Sequence, residues 1–247
     1  MPVLALHSDS STNPGFGCVS DLDVQGSAQS AAQIAQVWLD NPIKEGVPTP
    51  PLAGDLVCWS GWCGEAARGE NARADVRTWS ATGWTAFERV AKELDAAAEA
   101  AGVDVILRPH ARHVLADPQS TLAWLRRTSP QRLKILLDPA AWLTPSMLET
   151  ADDHLARAFE SFTGHPAVWG TVLTGLAPVE PEDDDAGFSG GEFAPCPLGS
   201  DAGVLPLTTL LGAVGGFPLI DRPIVLLAED FAAQRARLAE SLGAERV

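Results

Sequence analysis

The sequence predicts an α/β protein: a parallel sheet of about six strands with helices packed outside it. Three observations carry that prediction. Short apolar runs alternate with amphipathic stretches along most of the chain. Two of the runs, within residues 103–107 and 135–137, are apolar without alternation, as strands buried on both faces are. Both halt at a charge followed by proline, Arg108-Pro109-His110 and Asp138-Pro139. In parallel sheets, ligands gather where loops converge at the carboxyl ends of the strands. Arg108, His110 and Asp138 are therefore the first candidate catalytic residues.

The elements follow in order. Residues 2–7 (PVLALH) form a first strand, ending at His7, and a long polar loop succeeds it. Residues 27–39 read as a helix, with Ala31, Ile34, Ala35 and Trp38 on one face, closed by Pro42, Pro48, Pro50 and Pro51. Residues 55–64 (DLVCWSGWCG) are a strand stopping at Ser60-Gly61, where glycine permits close backbone approach to a ligand. From Trp84 to Ala101, Phe87, Val90, Ala91, Leu94, Ala97, Ala98 and Ala101 mark a long amphipathic helix, capped by Thr82 or Thr85 and ended by Gly102. A helical stretch over 121–127 links the two charge-proline strands. Residues 145–162 read as a helix capped by Thr144 with Pro145 first. Residues 167–175 are strand-like, 178–203 an acidic loop insert containing EPEDDD, 205–213 a weak helix, 222–230 the last strand and 231–242 the terminal helix.

Composition narrows the function classes. The 247 residues, 46% hydrophobic and 20% charged, suit one domain over 1–247 with a sizeable core. With 17 Lys and Arg against 32 Asp and Glu, the net charge of −15 repels phosphate backbones, so no nucleic-acid partner is expected. No apolar run approaches the roughly 20 residues that span a bilayer, and the N-terminus lacks a charged leader with a cleavage site. The expectation is a cytoplasmic protein without a membrane partner. Four cysteines (Cys18, Cys58, Cys63, Cys196) are too few for a disulfide scaffold and are expected to be reduced.

Several motifs, taken together and in this order, resemble the xylose isomerase-like TIM barrels, the sugar phosphate isomerase and epimerase group. They are Trp59-Ser60-Gly61 at a strand end, the helix from Trp84 leading to Leu107-Arg108-Pro109-His110 in place of Glu-x-His, Ala116-Asp117-Pro118 at a helix start, Leu137-Asp138-Pro139 at a strand end, and Glu229-Asp230 after the last strand. The resemblance covers most of the chain and implies a TIM-barrel-like (β/α) repeat. Aligned this way, Met1 falls at the family's third strand, so the first two βα units are expected to be absent. Six strands would leave exposed edges, which implies self-association or a partner chain covering the open side.

The resemblance also implies an isomerase or epimerase acting on a small sugar-like, polyhydroxylated compound through a divalent metal held by carboxylates and histidines. Carried over residue by residue, that metal site is degenerate. Its Glu is Arg108, one His falls at Ala141, another near Val172 or Leu173, and the final Glu at Leu227. Asp138 alone is retained as a metal ligand. No cofactor is expected beyond a weakly held Mn, Mg or Zn ion completed by substrate oxygens. Arg108 cannot ligate a metal. It either pairs with Asp138 or meets an anionic ligand or enediolate directly, with His110 as proton carrier. A non-catalytic ligand-binding or subunit-forming relative is the alternative to an enzyme.

Further ligand-binding candidates are His7, Trp59, Ser60, Gly61, Trp142 and Glu229, all at predicted strand ends, with Trp62 flanking them. Aromatic faces there suit sugar rings. His113 is discounted as lying farther into its loop. Cys18, Cys63 and Cys196 fall in loops on the predicted ligand face and with His7 or His110 could assemble a zinc site, although their spacings match no C-x-x-C pattern.

Overall fold

In the computed structural model, residues 2–7, 16–20, 33–48, 52–65, 69, 72, 74–179, 192–215 and 222–242 are described. Their strands are β1 (Val3–His7), β2 (Phe16–Ser20), β3 (Gln33–Trp38), β4 (Leu56–Trp59), β5 (Val105–Arg108), β6 (Leu133–Leu137), β7 (Val168–Val172), β8 (Gly175–Val179), β9 (Glu192–Cys196) and β10 (Ile224–Leu227). Eight of them close into a barrel in the order β1-β10-β7-β6-β5-β4-β3-β2, while β8 and β9 form a separate antiparallel pair. Every barrel pairing is parallel except those of β2, which runs antiparallel to both β1 and β3.

This is the expected barrel-like α/β fold, with two more strands than expected. The strand beginning at Val3 pairs with β10, so it occupies the first place in the ring rather than the third. The places taken for missing are filled by β2, inside the stretch read as loop, and by β3, inside the stretch read as helix. The barrel therefore closes on itself, and the open edge that motivated self-association is not there.

The error over 33–38 has a physical cause. Ala35 and Val37 face the barrel interior, while Trp38 packs in the outer layer, a period-two alternation that a stretch of six residues also allows to pass as one helical face. Pairing with β2 on one side and β4 on the other decides for strand, because local propensity yields to tertiary pairing.

Alternation builds two apolar layers. Leu4, Leu6, Val19, Val37, Val57, Ile106, Leu136, Val172 and Val225 fill the barrel. Val3, Ala5, Leu56, Cys58, Val105, Leu107, Ile135 and Leu226 point outward into the helix layer. That outer layer rests on α3 (Ala81–Ala101), α4 (Pro118–Thr128), α5 (Ala151–Phe162), α6 (Leu207–Gly215) and α7 (Phe231–Leu242), preceded by the short α1 (Pro42–Glu45) and α2 (Val76–Trp79). Ser80, rather than Thr82 or Thr85, caps α3 by accepting from the Thr82 amide at 3.2 Å, and Gly102 ends it in the left-handed conformation. Asp117 caps α4 at the Ser120 amide, 2.7 Å, with Pro118 in the first turn. Thr144 makes no side-chain cap, and residues 145–150 form a 3-10 turn before α5. Part of the predicted acidic loop is the β8/β9 pair, and the EPEDDD run lies outside the described residues. No described helix is long and apolar enough to cross a membrane.

Candidate functional site

The alternation that fills the barrel also aims Trp59, Arg108 and Asp138 inward at its carboxyl end, one step beyond Val57, Ile106 and Leu136. Trp59 is the register partner of Arg108 on the adjacent strand. The three side chains meet: the Arg108 guanidinium carbon lies 4.5 Å from the Trp59 ring centroid, and Arg108 donates to one oxygen of Asp138, Oδ2, from Nε at 2.9 Å and Nη2 at 2.6 Å. Both oxygens of Asp138 are engaged, since Oδ1 accepts from the Ala141 amide at 3.2 Å. Asp138 is 0% and Arg108 7% exposed, so each charge depends on the other for its solvation.

His110 follows two residues after Arg108 and is likewise buried, with its ring edge-on to Trp59 at 5.9 Å. Its Nδ1 accepts from the Arg112 amide at 3.1 Å, so the neutral ring carries its proton on Nε2. Burial, aided by the neighbouring His113, Arg112 and Arg108, holds His110 well below the ordinary imidazole range. It is neutral at physiological pH.

His113, discounted from the sequence, proves central to this cluster. It stacks on Trp62 at 4.9 Å, meets Trp59 edge-on at 5.1 Å, and lies 4.9 Å from His110. Its Nε2 donates to the Gly69 carbonyl at 2.9 Å, which leaves Nδ1 as a buried acceptor without a partner among the described residues. Burial pushes it down to about 3 against the opposing pull of the Gly69 bond. The matched spacing of Trp59 and Trp62 and of His110 and His113 was the available signal, but the bonds from Val114 to Gly61 O and from His113 to Gly69 O are what gather them.

Main-chain bonds stitch these loops together. The Ser60 amide donates to Arg108 O at 3.2 Å, Val114 to Gly61 O at 3.0 Å, and Ala111 to Ala141 O at 2.9 Å. Gly61 has φ +85°, and a Cβ there would lie 2.6 Å from Ile43 Cγ1. Its glycine thus serves a turn packed on Ile43. Ser60 is fully buried, and its Oγ has no partner among the described residues.

The remaining candidates lie elsewhere. His7 is on the outward parity of β1 with Val3 and Ala5, bonded to Ser20 at 2.9 Å, so it does not line the interior. Trp142 is in the outer layer, stacked on Phe162 and donating to Leu115 O at 3.1 Å. Glu229 is exposed, and its charge acts on Cys196. Cys18 stands opposite His7 in the β1/β2 register.

A divalent metal, implied by the resemblance, does not fit the residues present. Asp138 has a guanidinium on it, and among the described residues no group of three His, Cys, Asp or Glu could hold an ion.

No family model matches the sequence, and no curated protein matches it. Solved structures do. The chain is similar to xylose isomerase-like TIM barrels. One, from Mycobacterium smegmatis in complex with magnesium, shares 15% identity at a TM-score of 0.42, over 77% of this chain and 63% of that one. The probable 3-DHS dehydratase AsbF, involved in petrobactin synthesis in Bacillus anthracis, shares 18% at 0.44, over 76% and 62%. The IolI protein with a zinc atom shares 12% at 0.42, over 77% and 63%. The chain spans less than two thirds of the length of each.

Proposed function

We propose that this protein binds a small polyhydroxylated compound at the carboxyl end of its barrel, as a relative of the sugar isomerases and epimerases whose metal site is degenerate. One observation carries the reading: the Arg108 guanidinium rests on Asp138, the retained carboxylate, at 2.6 Å. A fixed cation at that oxygen repels a divalent ion and supplies hydrogen-bond donors in its place. The magnesium and zinc of the similar solved structures have no counterpart in this donor set.

Binding without turnover is favoured over isomerisation. Enediolate chemistry needs a carboxylate free to take a proton from carbon, and both oxygens of Asp138 are occupied by donors. His110, neutral with its proton on Nε2, is a hydrogen-bond donor rather than a base on that side.

The test combines metal content with binding. Elemental analysis of the purified protein is expected to find Mn, Zn and Mg far below one per chain. Calorimetric titration with pentoses, hexoses and their acids is expected to give binding that EDTA leaves unchanged. Near-stoichiometric metal together with an isomerase activity abolished by chelation would overturn the reading, as would the failure of every polyol in the panel to bind.

A further inference from the structure

We infer that the ligand of this site carries a carboxylate, and that the free edge of the Arg108 guanidinium together with His110 Nε2 receives it. This rests on the binding reading above and narrows its ligand class.

The argument is a balance of donors and acceptors. A guanidinium has five N–H groups. Arg108 uses one on Nε and one on Nη2 for a single oxygen of Asp138, leaving three with no protein acceptor among the described residues. The tautomer of His110 adds a further unpaired N–H at Nε2. Both side chains border the Trp59 ring, Arg108 over its face at 4.5 Å and His110 at its edge at 5.9 Å. Both are at least nine-tenths buried, at 7% and 9% exposure. Four unpaired donors thus converge on one ring, and none of their atoms is sealed from solvent as Ser60 Oγ and His113 Nδ1 are, so a ligand can reach them.

Side-chain acceptors nearby are scarce. Asp138 Oδ2 already accepts twice and Oδ1 once, and the unpartnered Ser60 Oγ and His113 Nδ1 are sealed from solvent and so from a ligand. A neutral sugar hydroxyl offers acceptor lone pairs but brings a proton that needs an acceptor of its own. A carboxylate is acceptor-only, with about four lone-pair directions, and bidentate pairing with a guanidinium is its strongest neutral-pH interaction. Placed on the Nη1 edge, it satisfies the donors that the protein leaves open with charge-assisted bonds, which are about twice as strong as those a neutral hydroxyl accepts. A dianionic phosphate fits less well, because Asp138 already neutralises Arg108.

The experiment titrates the full chain with matched probes by calorimetry: D-glucose against D-glucuronate, with acetate and glucose 6-phosphate as further arms. Glucuronate is expected to bind at least tenfold more tightly than glucose, and acetate to bind measurably alone. In Arg108→Lys, which keeps a cation beside Asp138 but loses the fork, the preference is expected to fall to less than threefold. Should that variant not fold, the paired Arg108→Met/Asp138→Leu replacement, which leaves no buried charge, is expected to abolish the preference as well. Equal affinity for glucose and glucuronate overturns this inference and leaves the polyol reading standing. Tighter binding of glucose 6-phosphate than of glucuronate overturns the commitment to a carboxylate. Absence of binding by all four probes removes the inference and the reading together.

Discussion

Arg108 gives two hydrogen bonds to the same oxygen of Asp138, at 2.9 and 2.6 Å, instead of spreading its fork over both oxygens. The second oxygen is left for the Ala141 amide. The pair is therefore fixed on both sides, by a strand end on the Arg108 side and by the turn after β6 on the Asp138 side.

Removing one partner of this pair is expected to cost more than removing both. Arg108→Met leaves a carboxylate that is 0% exposed without its counter-charge and should lower stability by about 3–5 kcal/mol. Arg108→Met/Asp138→Leu should recover most of that loss. Urea denaturation of the two variants beside the parent checks this, and a double variant no more stable than the single one would contradict it.

Acid should weaken the fold through the buried histidines. His113 has an ordinary value of 6.5 and is pushed down to about 3 by burial, and His110 is shifted in the same direction. The unfolded chain takes up these protons first, so their contribution to stability is complete above pH 6.5 and is lost as the pH falls toward 3. One such proton gives a slope approaching ~1.4 kcal/mol per pH unit within that window. In His113→Phe, which retains a ring against Trp62, the dependence of unfolding free energy on pH should be shallower by close to one proton between pH 6 and 4. Parallel curves would remove His113 from the account.

Gly61 should tolerate no side chain. Its φ of +85° is left-handed, and an alanine Cβ would lie 2.6 Å from Ile43 Cγ1 and 2.9 Å from Ile43 Cδ1. Gly61→Ala is expected to cost about 2–3 kcal/mol. Combined with Ile43→Ala the two losses should be less than additive by at least about 0.5 kcal/mol, because the steric part is shared and the backbone part is not. Thermal or urea unfolding of the three variants measures the coupling.

Gln234, fully buried on α7, accepts from the Leu198 amide at 2.8 Å and donates to the carbonyls of Leu227 at 2.8 Å and Glu229 at 2.5 Å. It holds the segment after β9 against the end of β10. Gln234→Met keeps the bulk but strands three main-chain groups, an expected loss of about 2–4 kcal/mol. Amide exchange at Leu198 should accelerate in the variant, and unchanged protection there would show that Gln234 does not hold this segment.

Much of the barrel was legible because its signals are local. Residues 105–107 and 135–137 announce buried parallel strands by unbroken apolar runs, and α3 announces itself by Phe87, Val90, Leu94 and Ala98 at helical spacing with Gly102 behind them. The place of Arg108 and Asp138 at the carboxyl ends of two neighbouring strands was legible too, since each follows an apolar run and precedes a proline. Where the pattern was short or ambiguous, the reading failed. Phe16–Ser20 follows the turn-forming run Ser10-Ser11-Thr12-Asn13-Pro14-Gly15 and reads as its continuation, and Gln33–Trp38 suits either period until β2 and β4 pair with it.

What the chain determined by itself was therefore the α/β alternation and the charge-proline ends that put Arg108 and Asp138 at the close of two of its strands. Tertiary structure alone decided that the ring closes with eight strands, because closure depends on hydrogen bonds between β1, β10 and β2 that no local pattern encodes. It also decided that His113 belongs to the cluster around Trp59 while His7 and Trp142 do not. Membership there depends on how a loop folds back over strand ends and on which face of the sheet each side chain takes, and both follow from packing rather than from residue type.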